Sequence, residues 1–220
     1  MTAVPTDSAS PSRDRILAVA TDLFAKRGYG ATSTRAIGDA AGLNIATVAY
    51  HVGGKEELYR EVMRLAHVAQ RDAVVAALET LTACDPTPEA TRTAMHGFVD
   101  AYLSFCLRHP EVPTLWMRRW LAEGEDLAAI EEEFAGPLVA QVAEQVRATL
   151  DRAGLTHEVD VEMLVYSIVW TTHSFTRAGF IDASGKRQDP SSLEMMDRFR
   201  AHLHHLVDGA IGADEHSHQD

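Results

Sequence analysis

Ile16, Val19, Ala20, Leu23 and Phe24 recur at i, i+3, i+4, i+7 and i+8. That spacing lays one apolar stripe along an α-helix, and Gly28 predicts where the helix stops. Order is expected from about Ser12 or Arg13, behind a leader rich in Thr, Ser, Pro and Ala that has no periodicity. Thr32 or Ser33 can cap a second helix with Ala36, Ile37 and Ala40 on its apolar side and Gly42 at its end. Asn44 caps a third, whose Val48, Ala49 and Val52 give it just enough apolar surface to dock on the first two. After Gly53 and Gly54 a long helix begins, with Glu56 and Glu57 in the first turn, where the macrodipole favours acids, and Leu58, Val62, Leu65 and Ala69 inward.

The rest of the chain also reads as helix: 55–81, 88–108, 113–122, 127–134, 137–153, 159–178 and 191–207. Pro86, Pro110, Gly124, Gly136, Gly154 and the segment "DASGKRQDP" punctuate it. Strand-like alternation is absent, and no internal repeat is visible. The expected class is all-α: an N-terminal three-helix helix-turn-helix domain followed by a larger helical domain. Residues 1–11 read as a disordered arm, 12–54 as the first domain, 55–210 as the second and 211–220 as a mobile tail.

Composition narrows the function. The longest apolar run, "MLVYSIVW" at 163–170, is too short to cross a bilayer, and the first residues lack the apolar core of a signal peptide. A cytoplasmic protein with no membrane partner is expected. Cys84 and Cys106 suggest neither a disulfide framework nor a metal site. The formal charge of −12 is unevenly spread. Residues 1–60 hold seven Lys/Arg against six Asp/Glu, and the remainder holds thirteen against twenty-six. A small polyanion-facing module on an acidic body fits that split.

The candidate chemistry lies at 34–55. Two short helices joined by a tight "AGL" turn and resting on a longer one form a helix-turn-helix pattern, whose second helix enters the DNA major groove. Thr47 and Tyr50, three apart, share a face with His51 beside them, while Val48 and Val52 point inward. Gly53 and Gly54 let the chain turn sharply and offer the amides of the next helix start, with Lys55, to a phosphate. Arg35 can reach a phosphate or a guanine edge.

In order and spacing, "LFAKRGY", "TSTRAI", "AAGLNIAT" and "YHVGGKEELY" resemble the DNA-binding domain of TetR-family transcriptional regulators, over about 50 of the 220 residues. The resemblance implies groove contacts from Asn44 to His51, with Thr47, Tyr50 and His51 on bases or backbone. Ile45 and Ala46 would be limited to thymine methyls. It also implies helix-two contacts from Thr34 and Arg35 and a phosphate contact from Lys55. Ala49 and Val52 depart from the aromatic residues many relatives carry there.

The resemblance further implies a palindromic double-stranded operator, a homodimer and a small-molecule effector, with no cofactor and no metal. Two stripes suit a dimer interface: Val161, Leu164, Val165, Ile168, Val169 and Thr172, and Leu193, Met196, Phe199, Leu203, Leu206 and Val207. On helices that enclose the pocket in relatives lie Tyr102, Phe105, Trp116, Met117, Trp120, Trp170, His173, Phe175 and Arg177. They suit an apolar or aromatic effector oriented by His173 or Arg177. An enzyme finds no support: the Glu-x-x-His spacing of helical di-metal sites occurs at Glu215 and His218, in the expected tail, and the His202, His204 and His205 run reads as surface. The rival reading is a helical ligand-binding protein of the same fold that does not bind DNA.

Overall fold

The computed structural model describes residues 10–122, 129–155 and 160–212. Most of the predicted arm and tail, the start of the 127–134 helix and the Glu215–His218 pair lie outside the described residues. The helices are α1 (Pro11–Ala31), α2 (Thr34–Ala41), α3 (Ile45–Val52), α4 (Lys55–Thr82), α5 (Pro88–Arg108), α6 (Glu111–Ala122), α7 (Gly136–Arg152), α8 (Val161–Ala178) and α9 (Leu193–Ala210), with a π-helical turn at Glu131–Ala135 leading into α7. α1 breaks at Gly28, where φ is 81° and ψ 168°, and only its last turn continues.

Local side chains start these helices. Ser33 Oγ accepts from the Ala36 N–H at 3.1 Å, Asn44 Oδ1 from the Thr47 N–H at 2.8 Å and Thr87 Oγ1 from the Ala90 N–H at 3.2 Å. Asp160 Oδ1 accepts from the Glu162 and Met163 N–H groups. Each satisfies a donor that the helix leaves unpaired.

One segment departs from the all-helical expectation. Phe180–Ile181 (β1) pairs antiparallel with Arg187–Gln188 (β2), Phe180 opposite Gln188. The strands are too short to carry a period. Asp182 orders the loop between them, accepting from the Ser184 hydroxyl, the Lys186 and Ser184 N–H groups and the Gln188 amide. Those donors, the Ser184 hydroxyl foremost, hold its carboxyl down to about 2.

In the N-terminal head, Ile16, Phe24, Ile37, Val48, Leu58 and Tyr59 are sealed from solvent. Phe24 meets Tyr59 edge-on at 5.1 Å, and Tyr29 lies 4.9 Å from the Tyr59 ring. Three residues read as inward are exposed: Ala40, Ala49 and Leu65. Each lies about a third of a helical turn off the buried line, which runs through Gly38 and Ala41 in α2, Val48 in α3, and Met63 and Ala66 in α4.

α5 and α9 are tied by the same spacing on both helices, Arg-x3-His-x3-Asp: Arg92, His96, Asp100 and Arg200, His204, Asp208. Asp208 meets His96 at 2.8 Å and Arg92 at 3.4 Å, and Asp100 meets His204 at 3.0 Å and Arg200 at 3.3 Å. The two imidazoles stack at 4.1 Å, 2° from parallel. His204 is therefore half-buried in a ladder rather than on the open surface, where His202 and His205 lie.

Candidate functional site

α2 and α3 form a tight pair because Gly38 lets the turn fold onto it. A Cβ there would sit 2.9 Å from the Leu43 carbonyl oxygen and 3.5 Å from the Val48 side chain, so a larger residue would lever α3 away. Val48, 1% exposed, anchors α3 in the head core. The opposite side is open: Asn44, Ile45, Ala46, Ala49 and Tyr50 are exposed, Tyr50 at 86%, and Thr47 and His51 are half-buried. Arg35 is exposed on α2, with Thr34 half-buried beside it. The Thr47 hydroxyl donates to Asn44 Oδ1 at 3.0 Å, leaving its lone pairs and the Asn44 NH₂ group free to face a partner. Tyr50 and His51 rings meet edge-on at 5.2 Å.

At the anion site expected after α3, one amide is taken by the protein's own carboxylate. Gly53 has φ 68°, and a Cβ there would lie 1.8 Å from Glu57 Oε2. That oxygen accepts from the Gly54 N–H at 2.6 Å, as the N3 acid of a capping box does. A phosphate at that amide would have to displace a carboxylate. The Lys55 ammonium sits 4.2 Å over the Tyr29 ring, a cation–π contact that holds it against the head.

Inside the body, α4, α5, α6, α7 and α8 enclose a cavity of about 90 Å³, with Trp116, Trp120, Phe98, Val142, Val169 and Tyr102 among its walls. Among the described residues no Lys, Arg, Asp or Glu lines it. At its polar end the Tyr102 hydroxyl accepts from Gln70 Nε2 at 2.9 Å and lies 2.7 Å from His173 Nε2. Burial pushes His173 down to about 4 and Tyr102 well above the usual phenol range, so both are uncharged at neutral pH. Cys106, behind Tyr102, is pushed up to about 12 by burial and stays a thiol. Trp116 Nε1 and His173 Nδ1 are buried and make no hydrogen bond among the described residues.

A family model described as bacterial regulatory proteins, tetR family, matches residues 16–62. The chain carries a tetR-family N-terminal domain. The HTH-type transcriptional repressor KstR2 of Rhodococcus jostii is 39% identical over 67 residues, 29% of this chain and 33% of that protein. The chain thus matches about a third of the length of such curated relatives. The solved structures of the ketosteroid transcriptional regulator KstR2 of Mycobacterium tuberculosis and the fatty acid degradation regulator FadR of Bacillus halodurans share the fold. The first superposes at a TM-score of 0.63 with 20% identity over 97% of this chain and 100% of that one. The second does so at 0.67 with 14% identity over 96% and 100%.

Within this tetR-type fold the expected pocket residues divide. Tyr102, Trp116 and Trp120 line the cavity. His173 sits behind Tyr102, its ring stacked 5.6 Å from Trp120. Phe105 is buried core stacked on His109, Met117 is half-buried off the cavity wall, and Arg177 is exposed and cannot orient a ligand there. Trp170 and Phe175 line a separate surface cleft with Phe180, Arg198, Phe199 and His202. The sequence reading missed His67 and Gln70 of α4 and the α7 wall. Gln70, an uncharged polar residue on the otherwise apolar inward line of α4, was the signal available.

The dimer stripes also need correction. Val161, Leu203 and Val207 are sealed inside the subunit, and Leu164, Met196 and Phe199 are nearly so. Phe199 stacks on Phe175 of its own chain at 3.9 Å. Val165, Ile168 and Val169 are cavity wall, and Leu206 is half-buried against the core. A 3.6-residue stripe reports burial, not which chain does the burying. What α8 and α9 present outward is Leu193 of the expected set, 84% exposed, together with Met163, 57%, and Tyr166, 54%.

α6 joins cavity to head. Trp116 and Trp120 face the cavity, while Arg118 between them donates through Nε to the Ala25 carbonyl and through an η nitrogen to the Lys26 carbonyl, both at 2.7 Å. Those carbonyls belong to the last helical turn before the Gly28 break.

Proposed function

We propose that the chain is a DNA-binding transcriptional regulator, a repressor that grips a palindromic operator as a homodimer and releases it when a small apolar or aromatic effector enters the body. The observation that carries this reading is the α3 face, open from Asn44 to Tyr50 and braced from behind by Val48. The tetR-family match over residues 16–62 supports it, as does the repressor role of KstR2 in Rhodococcus jostii. The exposed Met163, Tyr166 and Leu193 side chains support pairing through α8 and α9, and a two-fold protein calls for half-sites one DNA turn or more apart.

A route for release follows from size. A cavity of about 150 Å³ is known to take benzene, so one of about 90 Å³ is tight even for a single ring. An effector of that size or larger pushes on Trp116 and Trp120, and α6 passes the displacement through Arg118 to α1. Operator DNA must in turn weaken the effector by the same factor.

A mobility-shift titration on DNA from upstream of the gene, at rising salt, tests the reading. Log affinity should fall with log salt at a slope of about −0.9 per phosphate neutralised. The Glu57 carboxylate on the Gly54 amide and the Tyr29-bound Lys55 favour a second reading, a ligand-binding protein of this fold without DNA recognition. Absence of any shift at low salt would support that one.

A further inference from the structure

We infer that the cavity selects a ring-bearing alcohol or phenol whose hydroxyl donates to Gln70 Oε1. The inference rests on the proposal that this cavity is the effector site.

Gln70 sits on the buried line of α4 between Ala66 and Val74, is 9% exposed and forms part of the cavity wall. One end of its amide is committed, because Nε2 donates to the Tyr102 hydroxyl at 2.9 Å. That bond holds the amide in place and leaves Oε1, at its other end, with no hydrogen bond among the described residues. Packing seals Trp116 Nε1 and His173 Nδ1 completely, but it does not seal Gln70 Oε1. On the buried line of α4 the space that reaches this oxygen is the cavity. A carbonyl oxygen can only accept, so the group it selects is a donor.

Charge does not make the selection. His67, one turn before Gln70 and also in the wall, is held below the usual imidazole range, chiefly by burial and further by Arg71. It is neutral at neutral pH, with one ring nitrogen to donate and one to accept, and can meet a hydroxyl or an acceptor equally. The difference lies at Gln70. A nitrile, ether or ketone brings a lone pair against Oε1 and leaves that oxygen without a partner in a closed site, whereas a hydroxyl supplies the missing hydrogen. Phe98, Val142 and Val169 form an apolar wall that takes the ring.

Phenol, benzonitrile and toluene test this on the full-length protein. Each has one ring, carrying respectively a donor with an acceptor, an acceptor alone, and neither. Followed by side-chain and backbone amide NMR signals, phenol should bind about fivefold tighter than benzonitrile, which is of similar overall polarity. The Gln70 side-chain NH₂ pair, assigned by its loss in Gln70→Leu, should move more with phenol than with toluene. Gln70→Leu should bind phenol about fivefold more weakly and toluene at least as tightly, so that the preference for a hydroxyl disappears. Benzonitrile binding the native protein as tightly as phenol, an unmoved Gln70 signal at saturation with phenol, or a Gln70→Leu protein that keeps the phenol preference would overturn the ligand class while leaving the cavity as the effector site. If no compound perturbs any cavity-wall signal, the effector-site proposal itself fails. Should Gln70→Leu not fold, the ranking of phenol against benzonitrile in the native protein still decides.

Discussion

Phe24, Tyr29 and Tyr59 meet ring to ring in the head, with Ile16, Ile37 and Val48 closing the space around them. In the body Tyr102, Trp116 and Trp120 surround about 90 Å³ of space, and the Trp116 and His173 ring nitrogens Nε1 and Nδ1 lack a partner among the described residues. The head buries its aromatics by filling; the body buries them around a hollow. Close-packed interiors move as units, and a hollow with unmet donors can exchange one arrangement for another. Recognition fits the first region and response the second, with Arg118 between them.

The comparison breaks first in the head. Phe24→Ala should cost about 3–5 kcal/mol, read by urea denaturation, because a filled site cannot collapse around the lost ring. A cost under about 1 kcal/mol would mean the head is not packed as one body.

Acid should report on the body. His173 has a folded value of about 4 against its ordinary 6.5, so between those values the unfolded chain binds more protons. Stability is therefore full above about pH 6.5 and is lost as pH falls toward 4, by about 2 kcal/mol between pH 7 and 5 from this residue. Denaturant curves at the two pH values, compared with His173→Gln, should differ by that amount.

Arg118→Met cuts both donors to the α1 carbonyls. It should cost about 1–2 kcal/mol and speed amide exchange in the last turns of α1 by about tenfold, leaving cavity-wall amides unchanged. Equal effects in both places would deny α6 its role as a specific link. The smallest expected effect is Tyr50→Ala: within about 0.5 kcal/mol of native stability, since an 86% exposed ring holds nothing up, yet with measurably weaker operator binding.

Much of the head was legible residue by residue. Ser33 and Asn44 mark the starts of α2 and α3 because a cap acts within three residues. Pro88 and Arg108 bound α5 as the sequence reading placed them. The capping of one amide at the expected anion site was not legible, because Glu57 looks like a dipole-favoured acid in sequence and only the folded turn brings its carboxylate back onto Gly54. Arg177, read as a ligand anchor, lies outside because a position on α8 does not reveal the face. The Arg92–Asp208 and Arg200–Asp100 ladder joins residues about a hundred positions apart, and only the juxtaposition of α5 and α9 gives the repeated spacing a meaning.

The chain's own order of residues determined what nearest neighbours along a helix can determine: where α2 and α3 begin, which side of each is apolar, and that helices dominate the fold. Tertiary structure decided what each apolar side is buried against. Within the stripes at 161–172 and 193–207 most side chains face the cavity or the core of their own chain while Leu193 stays open, and Tyr102, Gln70 and His173 met from three helices. The reason is physical: burial by one's own chain and burial by a partner remove the same water and leave the same period, so the distinction exists only once the helices are placed.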